Sequence, residues 1–267
     1  MKNSSSQLAF TLSGLVVVTC LAGVLSCGGG SSQTPTTGEL TANWQITLQP
    51  HGLIQSFQYT GFLIQTGSSL SGNFILGDGC TGVGAVSGSV SGQNVTLNIG
   101  ESGQDLNLTG SAPAGGTAGT GVFSTLAGAC TAPYASTGNW SAILVPALNG
   151  NFTGAFSSTL TGGTTIPVSG SLTQGPNNGS STATLSGTMT AHNSNAAFCP
   201  YLTTATITGT ISGESATLNV FGPNGSLIAQ IPATLSADAS SLTGTYLFQS
   251  LSTACNGDEG TIQLTFQ

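Results

Sequence analysis

The chain of 267 residues is almost free of charged side chains, which make up 3% of it, whereas an average globular domain contains about 25%. Its only lysine or arginine is Lys2. Phosphate clamps, nucleic-acid-binding faces, Schiff-base lysines and arginine fingers all require these residues. We therefore exclude those function classes and expect no nucleic-acid partner.

Low charge does not indicate disorder in this chain. Disordered segments combine low hydrophobicity with high net charge, whereas here 38% of the residues are hydrophobic and the mean hydropathy is +0.25. Glycine is abundant, with 40 residues. The composition predicts a folded protein with a neutral, polar surface.

An apolar run over residues 8–26 follows a short segment that contains Lys2. A basic start followed by an apolar stretch is typical of a secretory signal. Such a run is also nearly long enough to cross a bilayer as an uncleaved anchor. The glycines that follow Cys27 favour cleavage, so we expect residues 1–26 to be removed.

The apolar run ends in the tetrapeptide Val24-Leu25-Ser26-Cys27, which resembles the lipobox of bacterial lipoproteins. The resemblance implies cleavage before Cys27, a diacylglyceryl thioether on its sulfur and acylation (for example with palmitate) of the new amine. Two or more acyl chains anchor a protein stably to a membrane. Gly28 stands where an aspartate would indicate retention at the inner membrane. The resemblance therefore implies an exported lipoprotein of the cell envelope, held at the outer membrane, with residues 27–37 as a flexible tether.

An internal repeat divides the remaining chain. Residues 86–99 (VSGSVSGQNVTLNI) align without gaps with residues 207–220 (ITGTISGESATLNV), 121 positions later. Residues 119–130 align with residues 244–255 at an offset of 125, and Asn43-Trp44 corresponds to Asn151-Phe152. The offsets differ by a few residues, as loop insertions would cause. The sequence predicts two tandem β-domain repeats, residues 38–146 and 147–267.

Four further cysteines occupy equivalent places in the two copies. An even number of cysteines in an exported chain indicates disulfides, and the repeat favours the pairs Cys80–Cys130 and Cys199–Cys255. Each bond would close a loop of about 50 residues and stabilise the fold by roughly 4 kcal/mol. A metal site needs close cysteine pairs or several histidines, so we expect neither a metal nor another cofactor.

Apolar and polar residues alternate over short segments after residue 37, the period of half-buried strands. We expect about eight strands in each copy. In the first they are predicted near 40–49, 55–65, 69–76, 83–91, 94–100, 105–110, 118–124 and 138–145. In the second they are predicted near 148–157, 164–173, 181–190, 203–212, 215–221, 226–234, 242–249 and 260–266.

The predicted fold class is all-β, with two antiparallel β-meanders that each form a small barrel or sandwich. Strand edges are usually protected by charged residues such as lysine, which this chain lacks, so closure is favoured. Ala42-Asn43-Trp44 at the first strand is similar to the Gly-x-Trp of lipocalins. That resemblance is one of architecture and implies an eight-stranded barrel.

Two histidines, His51 and His192, are the only candidates for acid–base catalysis. They lie in predicted loops that are not equivalent under the repeat, and no G-x-S-x-G nucleophile elbow is present. Asp78, Asp258 and Glu259 lie near the cysteines without the spacing of a calcium loop, and we expect ordinary loop acids. We therefore expect no catalytic residue and no enzyme.

The sequence predicts a membrane-anchored lipoprotein whose two β-modules bind a partner or support the envelope. A neutral polar surface favours an uncharged glycan, and a barrel interior could instead hold a small apolar ligand. A secreted hydrolase that uses a loop histidine, or a surface adhesin, is the alternative. A barrel embedded in the membrane would carry aromatic girdles, and aromatic residues make up only 6% of the chain.

Overall fold

The computed structural model describes residues 39–77, 82–101, 104–113, 115–125, 137–159, 165–192, 202–249 and 256–267. The predicted signal peptide, the tether and all cysteines, including Cys27 and the predicted pairs Cys80–Cys130 and Cys199–Cys255, lie outside these residues, as does Asp78. No helix formed by the described residues has the length and hydrophobicity needed to span a membrane.

The first eight strands follow one another as an antiparallel meander. They are β1 (Ala42–Pro50), β2 (Phe57–Thr66), β3 (Ser69–Ile75), β4 (Val83–Ser91), β5 (Asn94–Glu101), β6 (Gln104–Ser111), β7 (Ala118–Thr125) and β8 (Thr137–Val145). Each strand pairs with the next, and β1 also pairs with β8. The sheet therefore closes into a barrel.

The next eight strands repeat this topology. They are β9 (Asn149–Ser158), β10 (Thr165–Gln174), β11 (Ala183–Ala191), β12 (Ala205–Ser212), β13 (Ser215–Phe221), β14 (Leu227–Leu235), β15 (Ser241–Leu247) and β16 (Glu259–Phe266). Strand β9 pairs with both β10 and β16 and closes the second barrel. The prediction of two all-β meanders is confirmed, and both are barrels rather than sandwiches.

Alternating side chains fill the barrels and cover them. In β16, for example, Ile262 and Leu264 are buried, whereas Thr261, Gln263 and Thr265 between them are exposed. Because successive strand residues point to opposite faces, this two-residue period places the apolar set inside each barrel. The outer walls are left with hydroxyl and amide side chains.

Each barrel has two unlike ends. At the hairpin end of the first barrel, β2–β3 and β4–β5 are joined by only two residues each. At the opposite end, which we call the cysteine-loop end, the strands are separated by residues 51–56, 76–82, 102–103 and 126–136. In the second barrel the equivalent connections are residues 159–164, 192–204, 222–226 and 248–258. The four cysteines predicted to form disulfides fall in the longest of these connections, residues 76–82, 126–136, 192–204 and 248–258.

The strand register confirms one part of the repeat alignment and corrects another. Val86 pairs with Ile99, and the aligned Ile207 pairs with Val220. In the later block, however, Gly121 pairs with Trp140 and Gly244 pairs with Ile262 at equivalent places. The alignment predicted that Gly119 corresponds to Gly244 and is wrong by two residues. A shift of two keeps every side chain on its face of the strand, so the hydrophobic pattern could not detect the error.

The two cores fill the same barrel with different side chains. A Cβ atom added at Gly110, Gly119 or Gly121 would lie 2.7, 3.0 or 2.6 Å from the nearest atom of the Trp140 indole. In the second barrel Ile262 takes the place of Trp140, and bulkier residues take the places of Gly110 and Gly119, namely Ala233 and Leu242. The first barrel thus fills with one large side chain the space that the second barrel fills with several smaller ones.

Candidate functional site

The barrel interiors are filled with side chains. A cavity of about 20 Å³ in the first core is lined by apolar residues, including Leu40, Trp44 and Trp140. Pockets for small ligands usually enclose about 300–1,000 Å³. In the second core, Phe156 packs edge-on against Tyr246 with ring centroids 4.9 Å apart. The described core residues thus leave no room for the predicted apolar ligand, and binding surfaces must be sought on the outer walls.

The two histidines lie apart on different barrels. His51 is exposed, and its Nδ1 lies 3.5 Å from Thr137 Oγ1. His192 is also exposed, and its Nε2 contacts Ser169 Oγ. Neither imidazole has a carboxylate partner in the part of the chain that the structure describes, where no cluster of three metal-binding side chains occurs either. A serine–histidine contact without an orienting acid is not a catalytic triad.

Two carboxylates are buried at the cysteine-loop ends. Glu101 is 9% exposed and accepts a hydrogen bond of 2.5 Å from the Tyr59 hydroxyl. Asp258 is 4% exposed and accepts hydrogen bonds from Tyr246, at 2.8 Å, and from Ser158 Oγ. The sequence predicts that Asp258 is an ordinary loop acid, and this prediction is wrong. It is buried because its carbonyl oxygen accepts the Phe248 N–H at 2.9 Å, which holds this segment against the barrel.

Tyr246 acts as a neutral hydrogen-bond donor to Asp258. Burial raises the pKa of the Tyr246 hydroxyl above its ordinary value, and the hydrogen bond to Asp258 and the charge of that carboxylate raise it further. Loss of the phenolic proton beside a carboxylate would place two negative groups together in a buried site. The phenol therefore keeps its proton and orients the Asp258 carboxylate.

The outer wall of the first barrel binds the β12–β13 hairpin of the second. Asn43 Nδ2 donates to Gly213 O at 2.9 Å, and Gly213 N donates back to Asn43 Oδ1 at 2.8 Å. Gln45 makes a similar exchange with Glu214. Gln45 Nε2 donates to the Glu214 carboxylate at 3.0 Å, and the Glu214 backbone N–H donates to Gln45 Oε1 at 3.2 Å. Both amide side chains are buried although they point away from their own barrel.

A second set of contacts extends this interface. Ser212 Oγ donates to Thr60 Oγ1 at 2.8 Å. Asn73 Nδ2 donates to Gly179 O, also at 2.8 Å. Between these contacts, Phe62 on the outer face of β2 is 2% exposed and belongs to the hydrophobic cluster of the second barrel. An apolar anchor framed by hydrogen bonds, one of which goes to the Glu214 carboxylate, joins the two barrels.

The second barrel is closed, but the hydrogen-bond ladder between two of its strands is interrupted along one seam. The ladder between β14 and β15 pairs Ala233, Thr234 and Leu235 with residues of β15. No residue of β14 before Ala233 is paired with β15 in this ladder. The equivalent ladder between β6 and β7 of the first barrel continues to Leu106 and Thr125. The seam between Leu227–Pro232 and Thr245–Leu247 therefore has no counterpart in the first barrel.

Pro232 provides the physical reason for the open seam. Ser236 N donates to Ser241 O, and Gln249 N donates to Ile228 O. In an antiparallel ladder every second residue between these points donates its N–H to the neighbouring strand. Pro232 falls at such a position, opposite Thr245, and has no N–H to donate. The Thr245 carbonyl therefore receives no donor from across the seam.

A groove of about 440 Å³ lies on the outer wall at this seam. We call it the seam groove. It is lined by Thr159, Gln230, Pro232, Thr245, Tyr246, Leu247, Glu259, Gly260 and Thr261. Tyr246 connects the groove to the interior, because its hydroxyl bonds the buried Asp258. The only ionisable side chain that opens to solvent in the groove is the carboxylate of Glu259.

Two groups of the seam groove are held in place by neighbours. Gln230 Nε2 donates to Asn219 Oδ1 at 3.1 Å, which orients its amide plane. Thr159 Oγ1 donates to the Glu259 carbonyl at 3.0 Å and fixes the rim. Leu247 is 42% exposed and supplies apolar surface. The groove thus combines oriented polar groups with an apolar contact, which is the usual make-up of a small-molecule site.

A wider depression lies on the wall of the first barrel. It has a volume of about 650 Å³ and is lined mainly by hydroxyl and glycine residues, including Thr109, Gly110 and Gly121. Strands β6 and β7 are fully paired beneath it. Every backbone group at its floor is therefore used in the β6–β7 ladder, and none is free to bind a ligand. The seam groove is the better candidate for a binding site.

Sequence reasoning identified neither the seam groove nor the interface between the barrels. The signal for the groove was Pro232 inside a predicted strand, since proline interrupts a ladder wherever its N–H would be needed. The interface had a weaker signal, because Asn43, Gln45 and Phe62 stand at outward positions where most strands carry serine or threonine. His51 and His192 lie on different barrels, and among the described residues neither imidazole contacts Asp258 or Glu259.

Comparisons with known proteins find distant structural likenesses. No protein-family profile matches the chain, and no curated protein is similar to it. A mutant of transferrin-binding protein B from Haemophilus parasuis is 8% identical with a TM-score of 0.25, over 85% of this chain and 64% of that protein. The chain thus spans less than two thirds of that protein's length.

Two other solved structures are similarly distant. Intact Ap-TbpB, with its N and C lobes, is 10% identical over 87% of this chain and 77% of its own, at a TM-score of 0.25. A DUF3598-family protein of unknown function from Nostoc punctiforme is 7% identical over 86% and 96%, also at 0.25. Likenesses at this level of superposition carry no argument about the fold or the function of this chain.

Proposed function

We propose that the chain is an exported lipoprotein of the bacterial envelope whose two barrels act as a non-enzymatic binding module for an uncharged partner. One observation carries the proposal: both described barrel cores are filled, while the outer wall of the second barrel opens at the seam groove. The walls carry hydroxyl and amide groups and no lysine or arginine. Such a surface recognises neutral molecules through hydrogen bonds rather than charge.

In this proposal Cys27 carries the lipid anchor and residues 27–37 connect it to the first barrel. The lipobox-like Val24-Leu25-Ser26-Cys27 supports this arrangement. Residues 38–146 and 147–267 are the two structural repeats, and strands β1–β8 and β9–β16 fall within these bounds. The anchor would hold the barrels at the outer membrane, within reach of envelope or extracellular glycans.

The disulfides Cys80–Cys130 and Cys199–Cys255 belong to the same proposal. The strands that flank each of these cysteines end at the cysteine-loop end of the barrel concerned, which supports pairing within a copy. The mature chain would contain no lysine or arginine, so trypsin would find no site in it. Mapping under non-reducing conditions with a glutamate-specific protease and chymotrypsin should show bonds within each copy only. A bond between copies would contradict the pairing.

Membrane fractionation tests the anchor. The full chain expressed in a two-membrane bacterium should sediment with the outer membrane and incorporate an alkyne-labelled palmitate. Cys27→Ala should abolish both labelling and sedimentation, whereas Cys20→Ala, within the predicted signal peptide, should change neither. Labelling that survives Cys27→Ala, or a wild-type chain that is never membrane-bound, would overturn the proposal.

A further inference from the structure

The seam groove excludes anionic ligands by its charge. No lysine or arginine occurs beyond Lys2, and the groove itself presents the carboxylate of Glu259. An anion would therefore meet repulsion with no basic group to compensate it. The ligand must be neutral, or at most carry an isolated positive charge.

The polar groups of the groove match a molecule with several hydroxyls. Thr245 and Thr261 offer hydroxyls that both donate and accept, and the Gln230 amide and the Glu259 carboxylate offer planar groups that bind adjacent hydroxyls. The Thr245 carbonyl, which receives no donor across the seam, can accept one further hydrogen bond. A ligand rich in hydroxyl donors would satisfy all of these groups.

The apolar part of the groove selects further among neutral ligands. Leu247 and Pro232 present C–H surface beside the polar groups. A sugar ring has polar edges and C–H faces, so it can contact both kinds of surface at once. An extended peptide would need a continuous row of free backbone groups, whereas the β14–β15 contact resumes where Gln249 N donates to Ile228 O.

We infer that the seam groove is a binding site for uncharged carbohydrate, held by hydroxyl, amide and carboxylate groups over the Pro232–Leu247 surface. This inference rests on the proposed binding function and assigns that function to one wall of the second barrel. The equivalent wall of the first barrel also carries a depression, but the β6–β7 ladder beneath it is complete and leaves no carbonyl group free to accept a ligand hydrogen bond.

Affinity electrophoresis in native gels tests the inference on the mature chain. The protein is acidic, with a formal net charge of −7 for the whole sequence, so it migrates freely and is retarded only by a polysaccharide that it binds. Gels should contain one neutral polysaccharide each: dextran, laminarin, galactomannan or xyloglucan. We expect retardation by at least one of them and its suppression by the corresponding free oligosaccharide.

Two groove variants and two matched controls locate the site. Thr261→Trp fills the groove from an exposed position, and Gln230→Ala removes the oriented amide. Each should weaken binding by about tenfold or more, the loss expected when contacts worth one or two hydrogen bonds disappear. Asn139→Trp and Asn107→Ala make the corresponding changes on the first barrel. They should leave binding unchanged.

Four outcomes would overturn the inference. The first is that no neutral polysaccharide retards the protein although the Cys27-dependent membrane anchoring persists. That result would contradict the carbohydrate site but not the proposal that the chain is an envelope lipoprotein. The second is binding that the groove variants do not weaken. The third is loss of binding in the first-barrel variants alone. Retardation by an amine-bearing polymer such as chitosan, without any by neutral polysaccharides, would equally contradict an uncharged ligand.

Discussion

Asn43 and Gly213 join the two barrels by exchanging a pair of hydrogen bonds, 2.9 Å and 2.8 Å long, between a side-chain amide and a backbone peptide unit. Asn43 is 3% exposed. An amide paired in this way satisfies both a donor and an acceptor of the hairpin that it meets. Because few other side chains have this geometry, the position should tolerate little change.

We expect Asn43→Ala to lower the free energy of unfolding by about 2 kcal/mol, because it leaves the peptide groups of Gly213 buried without partners. Urea denaturation followed by tryptophan fluorescence measures the change. The matched control is Asn151→Ala at the corresponding position of the second barrel. Asn151 is exposed, so its replacement should change stability by no more than about 0.5 kcal/mol. Equal losses in the two variants would contradict the role of Asn43.

Gly213 should be the more sensitive partner. Its φ is +56°, and an added Cβ would lie 2.5 Å from Thr60 Cγ2 and 2.9 Å from Gln45 Oε1. Gly67 has a similar φ of +62° but nothing within 4 Å. Gly67→Ala should therefore cost only the backbone strain of about 1–2 kcal/mol. Gly213→Ala should cost a further 1–3 kcal/mol, roughly, through the clash. Identical melting curves would show that the hairpin does not pack against the first barrel.

Pro232→Thr should close the seam. Threonine stands at the equivalent place, Thr109, in the first barrel, and a new N–H at position 232 would reach the Thr245 carbonyl. We expect a gain of about 1 kcal/mol and a slowly exchanging amide at position 232, measured by NMR hydrogen exchange. The reverse change, Thr109→Pro, should destabilise the first barrel by about 1–3 kcal/mol, because it leaves the Val122 carbonyl without its ladder donor. An amide at 232 that exchanges as fast as those of exposed loops would contradict this account.

Asp238 should titrate well below an ordinary aspartate. Hydrogen bonds from the Ser236 hydroxyl, the Ser240 hydroxyl and the Ser240 N–H stabilise its charged form and lower its pKa from 3.8 to about 2. A depressed pKa contributes stability above the ordinary value, and this contribution is lost as the pH falls from about 4 through about 2. NMR titration of the carboxyl carbons measures the pKa directly.

Ser236→Ala removes the largest of these causes and should return the pKa of Asp238 towards 3.8. Ser226→Ala, in a different exposed turn, serves as the control and should leave it unchanged. A wild-type Asp238 that already titrates near 3.8 would show that the turn does not hold the carboxylate as the structure places it.

The strands were predictable because each depends on a local pattern. The alternation that marks Ile262 and Leu264 as inward residues extends over only a few positions, and turn residues separate one such pattern from the next. All sixteen strands were predicted to within a few residues. The closure of the sheets into barrels was predicted less directly. The chain lacks the lysines that usually protect the edges of open sheets, and a closed sheet has no edges to protect.

The interface and the seam groove depend on relations that no local pattern contains. Asn43 and Phe62 occupy outward positions, and only the docking of the second barrel makes those positions buried. The effect of Pro232 depends on whether its nitrogen faces β13 or β15, which the register decides. Asp258 was misjudged because polarity in a loop predicts exposure, whereas Tyr246 and Ser158 satisfy this carboxylate inside the fold.

Phe62, Val145 and Leu148 are buried in the hydrophobic cluster of the second barrel. The boundary between the two repeats on the sequence therefore runs through the core cluster of the second barrel, to which the first barrel contributes Phe62 and Val145, while the other core residues of the first barrel form a cluster of their own. Elements that share a core unfold together. We expect the residues that the first barrel buries in this cluster to couple the two barrels, so that they unfold in one thermal transition rather than two.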